Sequence, residues 1–151
     1  MQVEHRQWLQ MMYPNQPADI PAAGLVEEAG ELLHAILKME ERRIWGPSSR
    51  HGDLEAKLAD AIGDCAIYAC SLCNAMGWTY NTTDSTGYYG TPLELAVLLV
   101  RQAAETYENR TLKMLSTYIG LVKSISEKYN LNFDLTVATT WSSVKERSRC
   151  V

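Results

Sequence analysis

The chain has 151 residues and a mass of 17.0 kDa, a size that suits one domain spanning residues 1–151. Its hydrophobic content of 46% is sufficient for a core, and its net charge of −4 gives no basic field for binding a nucleic acid polymer. No apolar run approaches the ~18–20 residues needed to cross a bilayer, and the N-terminal sequence lacks the apolar part of a secretion signal. We therefore expect a cytoplasmic protein that binds neither a membrane nor a nucleic acid polymer.

Most of the sequence follows the helical period, and the alternation of Val, Ile and Thr that is typical of strands is absent. We therefore expect an all-α protein. The first predicted helix covers residues 4–13 and ends before Pro14. The second begins near Pro21, a residue type favoured in the first turn, and runs to about Arg43.

The third predicted helix follows Asp53, a suitable N-terminal cap, and runs to Met76, before the typical C-terminal stop Gly77. A short polar segment joins it to the second helix. Two long helices connected in this way are expected to form an antiparallel hairpin, on which the rest of a helical bundle is built.

Residues 91–94, Thr-Pro-Leu-Glu, are the strongest helix-start signal in the chain, a capping box with proline at the first helical position. A fourth helix is predicted to run from there to about Glu108, a fifth over residues 112–129, and a last one from a cap at Asp134 to about Arg147. Residues 93–100 are strongly apolar, so we expect the fourth helix to form a subunit contact. The predicted assembly is a homodimer or a tetramer built from dimers.

The four cysteines favour a reducing compartment. Cys65, Cys70 and Cys73 fall within one predicted helix, where we expect them to pack as small hydrophobic side chains. Cys70 and Cys73 have the spacing of a redox or zinc pair, but no second pair of cysteines or histidines completes such a site. We therefore interpret this pair as helix packing.

Acidic side chains form a stripe on each of the two long helices. Glu27, Glu28 and Glu31 share a sector of the second helix, and Asp60 and Asp64 share a sector of the third. The ordinary interpretation is two amphipathic helices with polar faces in water. Against it, the three glutamates have no lysine or arginine within one turn, and each like-charge pair on a helix costs a few tenths of a kcal/mol.

The same stripes suit a metal site, because carboxylates one turn apart on facing antiparallel helices can converge into a cage of oxygen ligands. Mg²⁺ and Mn²⁺ prefer such ligands. His34 follows Glu31 by three residues, which is the spacing of the di-iron motif in helical bundles. No second copy of that motif occurs, so a di-iron site is an alternative that lacks half of its ligands.

Two acidic motifs resemble those of the all-α nucleoside triphosphate pyrophosphohydrolases, the MazG-like superfamily that includes the dimeric dUTPases. They are Glu-Glu-Ala-Gly-Glu-Leu at residues 27–32 and Asp-Ala-Ile-Gly-Asp at the start of residues 60–68. The family pattern is Glu-x-x-Glu, a spacer and Glu-x-x-Asp. Residues 5–17 resemble the family's first helix and loop, and residues 139–149 resemble its ending of tryptophan and basic residues. The resemblance implies a MazG-like four-helix core.

Carried over residue by residue, the resemblance makes Glu28, Glu31 and Asp64 metal ligands. The family's third ligand position falls on Ala61, which has no side-chain oxygen. Asp60 is its neighbour and lies one turn before Asp64, so it is the candidate replacement. This departure from the family pattern bears on the number of metal ions and on activity.

The implied reaction is Mg²⁺-dependent hydrolysis of a nucleoside triphosphate, NTP or dNTP, to the monophosphate and pyrophosphate, with Mn²⁺ as a substitute and a role in cleaning nucleotide pools. Glu27 or Glu28 is the candidate acceptor of the water proton. Lys57, Arg43 and Arg50 are candidates for binding the phosphates. For Arg43 the alternative role is to offset the dipole at the C-terminus of its helix.

Tyr68 follows Asp64 by one turn and is the candidate wall of a base pocket. Two other hypotheses compete with the enzyme. One is a catalytically impaired helical module that binds nucleotide or a protein partner, because Ala61 replaces a ligand. The other is a helical interaction protein whose acidic faces are only solvated. Metal dependence separates the last hypothesis from the first two, and turnover separates the enzyme from the impaired module.

Overall fold

The computed structural model describes residues 1–47, 53–80 and 87–149, except for the side chain of residue 149. Within these ranges the chain is all-helical, which confirms the expected fold class. No helix in this part of the chain has the length and apolar character needed to cross a membrane. The helices are α1 (Gln2–Met12), α2 (Asp19–Trp45), α3 (Leu54–Met76), α4 (Pro92–Glu108), α5 (Leu112–Lys128) and α6 (Phe133–Arg149).

Local sequence signals set the ends of α3 and the start of α4, as predicted. Asp53 caps α3 because its Oδ1 accepts a hydrogen bond from the Ala56 N–H at 3.0 Å. Gly77 ends α3 with a φ of 71°, in the left-handed region. At α4 the Thr91 Oγ1 accepts from the Glu94 N–H at 3.2 Å, and the Glu94 Oε2 accepts from the Thr91 N–H at 2.8 Å, which completes the capping box.

The prediction that Asp134 caps the last helix is wrong. The cap is Asn132, whose Oδ1 accepts a hydrogen bond from the Leu135 N–H at 2.9 Å. Asn130 has a φ of 55°, so the chain leaves α5 through a left-handed turn that brings Asn132 to the residue before Phe133. Asp134 lies within the first turn of α6, where its charge favours the positive end of the helix dipole.

The helices α2 and α3 run in opposite directions. Gly24, near the start of α2, lies against the ring of Tyr68 in the second half of α3. Arg42, near the end of α2, forms an ion pair with Glu55 at the start of α3. Since the two helices pack along their length, the acidic stripe of each is brought to the side of the other.

The core lies among α2, α3, α4 and α5, and α6 closes it from the side of α3. The Tyr118 hydroxyl is fully buried and donates a hydrogen bond to the Leu25 carbonyl at 3.3 Å, so this polar group within the core is satisfied. Cys65, Cys70 and Cys73 are buried free thiols, in agreement with helix packing. The largest fully buried apolar side chains of the four helices are Leu25, Leu32, Ile36, Leu58, Ile62, Leu72, Leu95, Leu99, Leu115 and Ile125.

The apolar side of α4 packs mainly against other helices of the same chain. Leu95, Leu99 and Ala103 are fully buried between α2 and α5. Val97 and Leu98 are exposed on the outer side of α4, and Tyr107 is exposed near its end. The internal core therefore accounts for most of the apolar surface that suggested a subunit contact at this helix, and the contact itself stays a prediction.

Candidate functional site

Five carboxylates on the facing sides of α2 and α3 form the acidic cluster, and Glu28 is its most buried member. The side chain of Glu28 is 8% exposed and interacts electrostatically with the other four acids. The remaining members lie nearer to solvent: Asp64 is half-buried, and the other three are exposed. The acidic cluster consists of Glu27, Glu28, Glu31, Asp60 and Asp64.

Glu28 carries an unsatisfied oxygen. Its Oε2 is buried and has no hydrogen-bond partner in the part of the chain that the structure describes. Burial, and then the charges of Asp64 and Glu31, raise the pKa of Glu28 to about 8. A buried oxygen without a partner costs about 1–3 kcal/mol, and negative neighbours add to that cost. The surroundings of Glu28 therefore favour a bound proton or a bound cation.

Asp64 faces Glu28 from α3 and is subject to opposing influences. Burial and the neighbouring Asp60 raise the pKa of Asp64 to about 6, whereas the positive charge of Arg147 acts to lower it. Arg147 belongs to α6, which packs so closely on α3 that a Cβ added to Gly63 would lie 2.1 Å from the Thr140 Oγ1. The packing of α6 thus brings one guanidinium to the acidic cluster.

A cleft of about 560 Å³ opens between α2 and the first half of α3, and we call it the central cleft. Its volume falls in the ~300–1,000 Å³ range of small-molecule sites. It combines carboxylates with two lysines: Lys38 donates to Glu41 at 2.7 Å, and Lys57 has no ion-pair partner among the described residues. Its lining consists of Gly30, Glu31, His34, Ala35, Lys38, Leu54, Lys57, Asp60 and Ala61.

Residue 61, where the resemblance to the MazG-like superfamily implies a third metal ligand, contributes no side-chain oxygen to the acidic cluster. Ala61 is buried and lines the central cleft with a methyl group. Asp60 lines the same cleft, and it also borders a groove toward α6 on the other side of α3. The negative charge of Asp60 contributes to raising the pKa of both Glu28 and Asp64. Asp60 therefore lies at the acidic cluster, but at a different angle from the position that Ala61 occupies.

Tyr68 lies at the acidic cluster, as expected from its position one turn after Asp64. A Cβ added to Gly24 would lie 2.1 Å from two ring carbons of Tyr68, so the ring crosses α2 at a point where only glycine leaves room. Burial, and then the charge of Glu28, raise the pKa of the Tyr68 hydroxyl. The ring thus forms a wall beside Glu28 at the end of the cluster nearest the start of α2.

The structure does not bring Arg43 to the central cleft. Its Nε donates to Glu40 Oε2 at 2.8 Å, on the outside of α2. Arg50 lies outside the described residues. Lys38, which is not among the predicted site residues, shares a sector of α2 with Glu31 and His34 and lines the central cleft with them. The proximity of Arg147 depends on how α6 packs, and no local pattern indicates it.

The acids do not form a ready-made metal cage. Among residues 1–47, 53–80 and 87–149, no group of three His, Cys, Asp or Glu side chains has the geometry to hold a metal ion. Mutual repulsion keeps like charges apart when no cation lies between them. Glu27 and Glu31 are exposed and have no ion-pair partner in these ranges, so their side chains are free to rotate toward Glu28.

Comparison of the chain with protein-family models, with curated proteins and with solved structures finds no match. The groups that the fold brings together are the acidic cluster, the ring of Tyr68 and the two lysines of the central cleft.

Proposed function

We propose that this chain is a MazG-like, Mg²⁺-dependent hydrolase that converts a nucleoside triphosphate, NTP or dNTP, to the monophosphate and pyrophosphate. The observation that carries the proposal is the buried Glu28 Oε2, which has no hydrogen-bond partner in the described chain and is surrounded by four other acids. A divalent cation would offset two unfavourable terms, the burial of an oxygen without a partner and the repulsion among the acids, because it pairs with that oxygen and neutralises the neighbouring charges.

The donors fit Mg²⁺, or Mn²⁺ as a substitute, because all of them are carboxylate oxygens. Glu28, Glu31, Asp60 and Asp64 would hold the ion after Glu31 and Asp60, which are exposed, rotate inward. When bound, such an ion offsets the phosphate charge, polarises the phosphoryl oxygen and lowers the pKa of water. The need for rotation predicts that ion and substrate bind in a coupled way.

The residues around the cluster supply the remaining roles. Glu27 is exposed beside Glu28 and is free of ion pairs in the described ranges, so Glu27 or Glu28 accepts the proton from the attacking water. Lys57, whose ammonium has no partner there, binds the outer phosphates along the central cleft. Tyr68 forms a flat wall for the nucleoside.

The proposal extends to the cell and the assembly. Hydrolysis of nucleoside triphosphates to monophosphates would clean the nucleotide pool of the cytoplasm. A homodimer, or a tetramer built from dimers, is the proposed assembly. Neither a membrane nor a nucleic acid polymer is a proposed partner, because the chain carries a net charge of −4, which gives no basic field to attract a polyanion or an anionic lipid surface.

The buried methyl of Ala61 favours a second candidate function. At the family's third ligand position it leaves one oxygen fewer in the cluster. A chain that holds nucleotide but does not hydrolyse it, or that binds a protein partner instead, would need no complete ligand set. This catalytically impaired module differs from the enzyme in one measurable property, turnover.

The test is an assay with Mg²⁺, and then Mn²⁺, over a panel of NTPs and dNTPs, in which monophosphate, pyrophosphate and phosphate are quantified separately. We expect monophosphate and pyrophosphate in equal amounts. Asp64→Asn should lose activity by at least ~100-fold, while Asp134→Asn, a matched change in α6 outside the acidic cluster, should retain it. Release of phosphate alone contradicts the reaction, and nucleotide binding without turnover supports the impaired module.

A further inference from the structure

Four side chains of α3 share one face of that helix, and we call them the α3 row: Lys57, Asp60, Asp64 and Tyr68. They follow one another at intervals of three and four residues, so they project to the same side. The first two line the central cleft, and the last two lie beside Glu28. From end to end the row covers about 16 Å, at 1.5 Å per residue.

The chemistry of the α3 row changes along its length. At one end, Lys57 lines the central cleft, and its ammonium has no ion-pair partner among the described residues. At the other end, the ring of Tyr68 lies against Gly24. Asp60 and Asp64 lie between them. A nucleoside triphosphate has its groups in the same order, with a polyanionic tail at one end and a flat base at the other.

A cation of α6 approaches the middle of the α3 row. Arg147 comes seven residues, or about two turns, after Thr140, so the two side chains share a face of α6. Thr140 lies against Gly63, the residue next to Asp64. Arg147 is exposed, its charge acts on Asp64, and it forms no hydrogen bond or ion pair with another described residue. The packing of α6 therefore holds an unpaired guanidinium beside Asp64.

The two cations then lie at different parts of a triphosphate. With the nucleoside at Tyr68, the α-phosphate is the first phosphate along the row and comes to Asp64 and Arg147, while the outer phosphates come to Lys57. A guanidinium suits such a group because its paired N–H donors match two phosphate oxygens. The reverse orientation would place the outer phosphates against an aromatic ring and the buried Glu28.

We propose that the triphosphate lies along the α3 row with its nucleoside at Tyr68 and its γ-phosphate at Lys57, and that Arg147 of α6 binds its α-phosphate. This inference rests on the proposed function and adds the orientation of the substrate and a contact from α6. Hydrolysis adds water across the bond between the α- and β-phosphates. Arg147 thus holds the phosphate that stays with the nucleoside, and Lys57 holds the pyrophosphate that leaves.

Separate binding of the two products tests the orientation. Calorimetry in the presence of Mg²⁺ measures the affinity of each variant for inorganic pyrophosphate and for the monophosphate of the fastest substrate. Arg147→Gln should weaken monophosphate binding by ~10-fold or more and leave pyrophosphate binding close to the wild-type value. Lys57→Gln should do the reverse. Arg101→Gln, a matched change at an exposed arginine of α4, should alter neither affinity.

The contrary results are equally definite. If Arg147→Gln weakens pyrophosphate and Lys57→Gln weakens the monophosphate, the substrate lies in the reverse direction and the inference is wrong. If Arg147→Gln leaves both affinities unchanged, Arg147 only balances the charge of Asp64, which also overturns the inference. Far-UV spectra and melting temperatures of the variants establish that each comparison is made on folded protein.

A conservative variant and the kinetics complete the test. Arg147→Lys keeps the charge but not the paired donors, so it should recover part of the monophosphate affinity and part of the kcat/KM that Arg147→Gln loses. Absence of any recovery would contradict a direct phosphate contact. Unchanged hydrolysis by Arg147→Gln removes the inference and leaves the proposed function intact. A wild-type chain that binds both products as described but hydrolyses nothing removes the proposed function and leaves the orientation.

Discussion

Two buried polar sites border α3, one near its C-terminal end and one around its middle, and they differ in whether their polar atoms have partners. At the contact of α1, α3 and α6, His5 is 1% exposed, and its ring nitrogens lie 3.3 Å from Ser71 Oγ and 3.0 Å from Asn74 Nδ2. At the acidic cluster Glu28 is also buried, but its Oε2 has no partner in the described chain. The fold thus gives two polar partners to His5 and none to the Glu28 Oε2.

Neighbouring charges show the same contrast. Glu4, at the edge of the His5 site, accepts hydrogen bonds from Trp141 Nε1 at 3.2 Å and from Lys145 Nζ at 2.7 Å. The acids around Glu28 instead add negative charge. The His5 site thus holds helices together. Trp8 Nε1 beside it, like Glu28 Oε2, is buried without a partner in the described chain, but only the Glu28 oxygen is set among negative charges, as the proposed cation site requires.

We expect the largest difference between the two sites in the rate of hydrolysis. Glu28→Gln keeps the shape of the side chain but removes its charge, so it should lower kcat/KM for nucleoside triphosphates by ~100-fold or more. His5→Gln is the matched change at the other site. It should lower kcat/KM only in proportion to the fraction of protein that no longer folds. Steady-state kinetics at fixed Mg²⁺ measure both, and equal losses would erase the distinction between the two sites.

For the free energy of unfolding, we expect the larger loss from substitution of His5 and the smaller effect from substitution of Glu28. The rings of His5 and Trp141 meet edge to face, with centroids 4.9 Å apart, so His5→Ala leaves a cavity and removes the partner of Asn74 Nδ2. We expect a loss of about 2–4 kcal/mol in the free energy of unfolding. Glu28→Gln should be neutral or stabilising in metal-free protein, because it removes repulsion. Urea unfolding provides both values, and a Glu28 variant as unstable as the His5 variant would identify Glu28 as a structural residue.

The dependence of stability on pH should have opposite signs at the two sites. Burial lowers the pKa of His5 from 6.5 to about 4, so its contribution is complete above pH 6.5 and is lost as the pH falls toward 4. Burial and acidic neighbours raise the pKa of Glu28 from 4.5 to about 8, so its contribution is complete below pH 4.5 and is lost as the pH rises toward 8.

Only the Glu28 contribution changes between pH 6.5 and pH 8, which makes this window decisive. Metal-free protein should lose stability as the pH rises through it, and Glu28→Gln should be flat by comparison. Thermal unfolding at several pH values with a metal chelator present measures the slope. A wild-type curve that is flat or rising in this window would show that Glu28 is not held protonated there.

A smaller effect concerns the wall beside Glu28. Gly24→Ala would force the Tyr68 ring away from α2, at a cost of about 1–3 kcal/mol. Tyr68→Ala in the same chain should relieve most of that cost, because the clash disappears. A double-mutant cycle measures this coupling. Additive losses would mean that the ring and the glycine are not in the close contact on which the wall depends.

The sequence predicts what depends on neighbours in the chain. Asp53 and the capping box at Thr91 are local signals, and both helix starts are where these residues indicate. The meeting of Glu28 with Asp64 follows from helical period and an antiparallel connection, so it too is within reach of the sequence. Whether the hairpin belongs to the MazG-like superfamily stays a prediction.

What depends on packing across the chain was not predictable. Asn132 and Asp134 are equally suited to cap a helix, and the turn at Asn130 decides between them. Glu27 and Glu28 are equivalent in sequence, and only the packing of α3 buries the second and exposes the first. The approach of Arg147 to Asp64 was not predictable either, because it depends on how α6 packs on α3.

The central claim is that Glu28 awaits a cation, and a Mg²⁺ titration of metal-free protein tests it most directly. Binding to the folded state raises the melting temperature in proportion to RT ln(1 + [Mg²⁺]/Kd), so the wild-type Tm should climb with concentration. Glu28→Gln should remain close to its metal-free Tm, while Asp134→Asn should follow the wild type. A wild-type Tm that millimolar Mg²⁺ and Mn²⁺ leave unchanged, with and without nucleotide, would contradict the claim.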